Sequence, residues 1–128
     1  LYKDEYEKSG HDISKMEIGI HSHSFVAEES QAAADGLYPY YARQMSKIGM
    51  ERGWPPYSRQ QFEAGRTKEG ALFVGSPNEI VDKISYMQEL FGITRFIAHI
   101  DVGGAPHKDL MKTIELYGKE IAPRLKKL

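Results

Sequence analysis

Two histidines, His21 and His23, stand one residue apart and are the residues of this chain best suited to chemistry. The alternation of apolar and polar residues from Met16 to Val26 predicts a β-strand, which presents both imidazoles on one face, about 6.5 Å apart. An imidazole titrates near neutral pH, so each ring could transfer a proton or donate a hydrogen bond to a ligand. The pattern fits equally a pair of histidines that bond only to neighbouring backbone.

The same pair could ligate a metal ion, as in a metal-dependent TIM-barrel hydrolase. Such a site needs a further ligand, for which the distant Asp101 is the candidate. The chain has no cysteine, and no third histidine lies near this pair in the sequence. We therefore expect no metal site and keep the hydrolase as an alternative.

A second candidate site lies where a short apolar strand ends at Gly75 and a helix begins at Ser76. Free N–H groups and the helix dipole attract anions at such a helix start. Ser76 also suits an N-cap, because Pro77 fits the first helical position and Glu79 completes a capping box. The sequence leaves both roles open, anion binding and helix capping, and no Gly-rich nucleotide motif accompanies them.

These residues are positioned by a predicted helix followed by three strand–helix units. The predicted strands cover residues 16–26, 72–74 and 94–102, and the predicted helices cover 29–52, 58–63, 76–92 and 106–120. Pro39 is expected to kink or split the long helix after Gly36, and Pro123 to interrupt the last one. Strands joined by crossover helices are parallel, so the fold class is α/β, part of either a doubly wound sheet or a (β/α)8 barrel.

Composition excludes several classes of function. The formal net charge is −1 over 128 residues, so nothing indicates binding to nucleic acid or to an anionic membrane. No apolar segment approaches the ~20 residues that cross a bilayer, and no signal peptide is visible. The absence of cysteine excludes disulfides, so we expect a cytoplasmic protein. The chain opens at Leu1 with what resembles the end of a helix, so we expect a piece of a longer protein.

Four segments resemble the C-terminal half of bacterial luciferase-like flavin-dependent monooxygenases. They are residues 18–28, 40–56, 71–80 and 99–104. The Val-Gly-Ser-Pro helix start in the third segment is widespread in that family. The Trp-Pro-Pro connector of the second segment and the His-Ser-His strand of the first are more specific to one oxidoreductase branch. The resemblance extends over nearly the whole chain, residues 1–128, as one domain.

The resemblance implies a (β/α)8 TIM barrel with FMN, or a related flavin or deazaflavin, at the carboxyl ends of the strands. Members of the family use reduced flavin and dioxygen to oxidise a small organic substrate, and some relatives are deazaflavin-dependent dehydrogenases or reductases. This chain would hold the last three strand–helix units of the barrel. Because the N-terminal half is absent, we expect the isolated chain to be inactive.

The resemblance also suggests roles for individual residues. His21 and His23 are the catalytic candidates, since a neutral imidazole could donate to a flavin carbonyl or to a peroxide oxygen. Ser24, Gly75 and Ser76 are the candidates for cofactor binding. The expected partners are a small-molecule substrate, a flavin reductase as the source of reduced flavin, and a second copy of the chain. The alternative is a non-catalytic half-barrel that self-associates, because its apolar strands have too few neighbours.

Overall fold

The structure, a computed structural model, describes residues 1–125. Its strands are β1 (Gly19–Val26), β2 (Phe73–Gly75) and β3 (Arg95–His99). Its helices are α1 (Tyr2–Lys8), α2 (Ser30–Glu51), α3 (Arg59–Arg66), α4 (Pro77–Phe91), α5 (His107–Leu116) and α6 (Ala122–Leu125). A 3₁₀ turn at Ile13–Lys15 precedes β1, and a π-helical turn at Tyr117–Ile121 joins α5 to α6. This order confirms a helix followed by three strand–helix units, and none of the described helices is long and apolar enough to span a bilayer.

Two prolines lie within helical segments without ending them. The helix α2 runs unbroken through Pro39, so of the predicted kink or split after Gly36 the split is wrong, and the kink stays a prediction. Pro39 has no N–H to offer the carbonyl of Asp35, but both residues are exposed, so water can reach that carbonyl. The π-helical turn directly before α6 widens the helix shortly ahead of Pro123, so the predicted interruption takes the form of a change in helix type.

The sheet is entirely parallel, as predicted, but its strand order is β2-β1-β3. Consecutive strands of a closed barrel are neighbours, which would place β2 in the centre. Here β1 is central, because no fourth strand within residues 1–125 covers its second edge and β3 pairs there instead. That pairing satisfies backbone groups that an open edge would leave exposed. The order is the one that doubly wound sheets adopt around their first strand.

Helices cover both faces of the sheet and bury a core on each. On one face, α2 and α3 pack over Phe25, Leu37, Tyr41, Phe62, Leu72 and Val74. On the other face, α4, α5 and the π-helical turn pack over Val26, Phe73, Ile80, Ile84, Leu116 and Ile121. Full burial of each large apolar side chain is worth about 1.5–3 kcal/mol. The carboxyl half of β1 is therefore fixed between two packed layers.

The amino half of β1 and most of β3 lie outside this packing on the α2 face. Gly19, His21, Ile97 and His99 are exposed there, whereas the last three residues of β1, Ser24–Val26, are buried. Parallel pairing places these exposed positions on one continuous patch of the sheet. The patch leaves the candidate histidines accessible to a ligand.

Candidate functional site

The pairing of β1 with β3 brings a third histidine to the predicted pair. His23 lies directly opposite His99 in the parallel register. The His99 ring stacks on the His21 ring with centroids 5.3 Å apart and planes 9° apart. It also meets the His23 ring edge-on at a centroid distance of 5.3 Å. We call His21, His23 and His99 the histidine cluster; it contains three of the five histidines in the sequence.

The turn after β3 anchors that strand to α2. Gly103 has a φ of +86°, and a Cβ at this position would collide with the carbonyl of Tyr40. Arg43 also donates a hydrogen bond to the Gly103 carbonyl at 3.1 Å. These contacts hold the chain just beyond His99 against the helix that carries Tyr41.

Tyr41 of α2 connects the histidine cluster to the buried core. Its hydroxyl lies 3.0 Å from Nδ1 of His23, and the residue is 5% exposed. Burial, reinforced by the neighbouring Tyr57, raises the pKa of Tyr41 to about 12, so the phenol keeps its proton at neutral pH. When Tyr41 donates this proton to Nδ1, the neutral imidazole carries its own proton on Nε2.

The surroundings of His23 favour its neutral form. Burial lowers the pKa of His23, and the positive charges that His99 and His21 can acquire lower it further. Each proton taken up by one imidazole makes the next protonation more costly. At physiological pH, His23 therefore has one ring nitrogen that donates and one that accepts, as general acid–base chemistry requires.

A cavity of about 320 Å³ opens beside the histidine cluster. It is lined by His21, Ser22, His23, Tyr41, Ala71 and Leu72. This volume is at the low end of the range of about 300–1,000 Å³ that holds small organic ligands. Imidazoles and a phenol form part of the lining and Leu72 supplies an apolar surface, an arrangement that suits a flat ligand with a polar edge.

Ser24, a predicted cofactor-binding residue, faces the opposite side of β1 from the histidine cluster. It is 2% exposed, and its hydroxyl donates to the Phe73 carbonyl at 2.8 Å. The same hydroxyl lies 2.6 Å from the hydroxyl of Tyr117. Contact with a cofactor would require these bonds to break, and the assignment of Ser24 stays a prediction.

Gly75 and Ser76 lie at the carboxyl end of β2, as predicted, and Ser76 makes the contacts of a helix cap. The Ser76 hydroxyl accepts from the Glu79 N–H at 3.5 Å, and the Glu79 carboxylate accepts from the Ser76 N–H at 2.7 Å. Burial opposes ionisation of this carboxyl group, but hydrogen bonds from Ser76 and Ser30 lower the pKa of Glu79 overall. A negative charge therefore occupies the helix start, and the predicted role of Gly75 and Ser76 in cofactor binding stays untested.

The geometry of the histidine cluster differs from that of a metal site. Among residues 1–125, no three His, Asp or Glu side chains are arranged to hold a metal ion. The imidazoles contact one another through ring faces and edges. Asp101, the distant ligand considered for a hydrolase, is exposed two residues beyond His99.

Sequence reasoning missed two members of this site. His99 could be assigned to a strand face, but its contact with His21 depends on which strand pairs with β1. Tyr41 is 18 positions from His23 and sits on a different element. Its signal in the sequence was a phenol on the core-facing side of α2, a feature it shares with Tyr38 and Tyr40.

Comparisons with known proteins show similarity at the level of structure. No protein-family profile matches the chain, and no curated protein is similar in sequence. Monooxygenase RslO1 from Streptomyces bottropensis superposes with a TM-score of 0.72 and 18% identity, covering 97% of this chain and 36% of that one. Apo-MsnO8 gives a TM-score of 0.62 at 16% identity, with coverage of 94% and 40%. The coenzyme F420-dependent tetrahydromethanopterin reductase from Methanopyrus kandleri gives 0.60 at 21% identity, with coverage of 94% and 39%.

The chain has the fold of part of a luciferase-like barrel. It spans 36–40% of the length of these structures. The three parallel strand–helix units of the luciferase-like fold are present, as the resemblance implied. The pairing of β3 with β1 differs from the order in a closed barrel, where β3 would pair with β2.

Two places in the chain differ in how well their residues suit an aromatic cofactor ring and a cofactor phosphate. Beside the histidine cluster, hydrogen-bonding side chains and the apolar surface of Leu72 suit an aromatic ring with carbonyl groups on its edge. At the start of α4, the Glu79 carboxylate already takes the Ser76 N–H, which an incoming phosphate would need. Of these two places, the histidine cluster has the hydrogen-bonding groups that are not already engaged at a helix start.

Proposed function

We propose that this chain is part of a flavin- or deazaflavin-dependent oxidoreductase, a monooxygenase that acts on a small organic substrate with reduced flavin and dioxygen. The observation that carries the proposal is the likeness of 97% of the chain to a monooxygenase at a TM-score of 0.72. FMN is the proposed cofactor. A deazaflavin is the alternative, because a third similar structure is an F420-dependent reductase.

The histidine cluster would supply the acid–base chemistry of this enzyme. A bound reduced flavin supplies the electrons that reduce dioxygen. His23, neutral and fixed by Tyr41, donates a hydrogen bond through its Nε2–H to a ligand in the cavity. His21 lies at the exposed end of the cavity lining and exchanges protons with solvent.

The proposed cofactor contacts fall into two groups. His21 and His23 would hold the edge of the flavin ring without any change in their present contacts. Ser24, Gly75 and Ser76 would contribute only after their present neighbours had moved. Because the similar structures are longer, the remaining contacts would come from segments outside these 128 residues. We propose a flavin reductase and a second copy of the chain as further partners.

Turnover by the full-length protein tests this proposal. FMN, NADH and a flavin reductase are supplied, and oxygen consumption is followed with a panel of small organic substrates. We expect His21→Ala/His23→Ala to lower kcat by about 10²–10⁴-fold, the usual contribution of general acid–base catalysis. His107→Ala, at the exposed start of α5, is the control that keeps wild-type kcat. Wild-type activity in the double variant would remove the catalytic assignment.

Self-association is a second candidate function, and the exposure of β3 favours it. Ile97 is 48% exposed at the centre of this edge strand. An edge strand with an exposed apolar side chain invites pairing with another chain. Sedimentation velocity of the wild type and of Ile97→Lys tests this candidate. We expect a concentration-dependent oligomer that the lysine abolishes, and a wild-type monomer at every concentration would refute it.

A further inference from the structure

The histidine cluster lacks an acidic partner. Among the hydrogen bonds and ion pairs of residues 1–125, the one polar contact to these rings is that of His23 with the Tyr41 hydroxyl. Structural histidines are often paired with a carboxylate, which fixes one ring and supports its positive charge. Here three rings are in contact with no negative charge among them.

The charged groups around the cluster are few. Tyr41 of α2 meets His23 as a neutral phenol, and Tyr57 of the connector after α2 packs on Tyr41. On β3, Arg95 lies on the same face as His99 and pairs at 3.5 Å with Glu17, at the entrance to β1. Asp101 lies two residues past His99 and is exposed. Among the hydrogen bonds and ion pairs of residues 1–125, none joins a carboxylate to the three rings of the cluster.

We propose that His21, His23 and His99 form a binding site for an oxyanion, a carboxylate or phosphate group on the ligand that enters the adjoining cavity. The inference deepens the proposed function and rests on it for the identity of the ligand. Ring N–H groups donate to the oxyanion, and the Tyr41 hydroxyl holds His23 in place. The cavity of about 320 Å³ has room for such a group and a small organic body attached to it.

Binding at this site is coupled to proton uptake. Burial, with the neighbouring His99 and His21, lowers the pKa of His23, so its protonation is unfavourable without an anion. A bound oxyanion supplies the missing negative charge, so at least one imidazole gains a proton when it binds. Affinity then increases as the pH falls, by up to about tenfold per pH unit for each proton taken up.

The test uses the side-chain NMR signals of the histidines in this chain, titrated from pH 5 to 9 in chloride at constant ionic strength. The titration is repeated with inorganic phosphate and, separately, with acetate. We expect the midpoints of His23 and His99 to rise in both oxyanions and not in chloride. A rise in phosphate alone assigns a phosphate group, and a rise in acetate alone assigns a carboxylate. Unchanged midpoints in both overturn the proposal.

Matched variants separate a built site from weak surface binding. His99→Gln should abolish the shift of His23, whereas His107→Gln, at an exposed position on α5, should leave it intact. If His99→Gln does not fold, the exposed His21→Gln serves instead. Equal effects of the cluster and control variants would show an adventitious ion only. None of these measurements needs a flavin, so failure of the anion site and failure of the proposed oxidoreductase activity are told apart.

Discussion

Lys83 is 4% exposed and donates hydrogen bonds to three backbone carbonyls. Its Nζ lies 2.6 Å from the Thr67 carbonyl, 2.7 Å from that of Leu72 and 3.3 Å from that of Gly65. The ammonium also lies 4.8 Å from the ring centroid of Phe73. This one side chain ties the end of α3 and the loop after it to Leu72, which lines the cavity of the candidate site.

Replacing this amine should destabilise the fold. Lys83→Met leaves the three carbonyls without their donor, and we expect unfolding free energy to fall by about 2 kcal/mol in urea titrations. Lys108→Met, at an exposed lysine of α5, should change it by less than about 0.5 kcal/mol. Equal effects of the two changes would show that the buried contacts of Lys83 contribute nothing.

The same lysine should make stability depend on pH. Burial lowers the pKa of Lys83 to about 8, against about 10.4 in the unfolded chain. Between these values the unfolded state binds more protons than the folded state, so stability rises with pH. Relative to Lys83→Met, wild-type stability should increase from pH 8 to 10 with a slope of at most about 1.4 kcal/mol per unit. A flat or falling difference would contradict the burial argument.

Tyr41 should control the tautomer of His23. Tyr41→Phe removes the hydroxyl that lies 3.0 Å from Nδ1, and we expect a loss of about 1 kcal/mol in stability. The ¹⁵N shifts of the His23 ring should move toward a mixture of tautomers. Tyr38→Phe, on the same helix, should leave those shifts unchanged. Unaltered His23 shifts in Tyr41→Phe would show that the contact does not set the tautomer.

At the residue scale, sequence predicted what depends on local geometry. Alternation along a strand was enough to place His21 and His23 on one face. The same alternation puts Ser24 on the other face of the strand. The family resemblance nevertheless suggested roles in one flavin site for His21, His23 and Ser24. Neither the alternation of side chains nor the family resemblance predicts which distant strands pair. The position of His99 beside His21 therefore had to come from the structure.

Two of the helices begin with the same capping device. The hydroxyls of Ser58 and Ser76 cap α3 and α4, and Gln61 and Glu79 complete the two boxes. Both helix starts could be predicted from the sequence, because a capping box depends on residues three positions apart. The two caps differ in charge, since the box of α4 contains a carboxylate.

This pair gives a direct test of whether Ser76 binds a cofactor. Ser58→Ala and Ser76→Ala should each lower the unfolding free energy by about 1 kcal/mol through loss of the cap. If Ser76 has only this role, FMN affinity of the full-length protein should be the same in both variants. Weaker FMN binding in Ser76→Ala alone would place the cofactor at the start of α4.

At the element scale, the helices and strands were predictable and the order of the strands was not. Three apolar strands and the helices between them follow from periodicity, caps and glycine stops. The placement of β3 beside β1 depends instead on which edge is free, and that is a property of the whole sheet. The unbroken α2 likewise depends on exposure of Pro39 to water, which the residue types alone do not give.

The whole molecule combines a double-sided core with one uncovered patch. Packing fixes the carboxyl half of β1 from both faces, while the amino half and β3 remain open on the α2 side. The chain covers 36% of the length of the structure it matches at a TM-score of 0.72. The histidine cluster lies on this open patch and borders the cavity of the candidate site.

Flavin binding by the full-length protein tests whether the histidine cluster holds the cofactor. FMN and a deazaflavin are titrated against the wild type, His21→Ala/His23→Ala and His107→Ala, and dissociation constants are read from flavin fluorescence. We expect saturable binding of one of the two flavins to the wild type and to His107→Ala, and at least about tenfold weaker binding to the double variant, or about 1.4 kcal/mol. Failure of both flavins to bind the wild type, or an unchanged dissociation constant in the double variant, would contradict it.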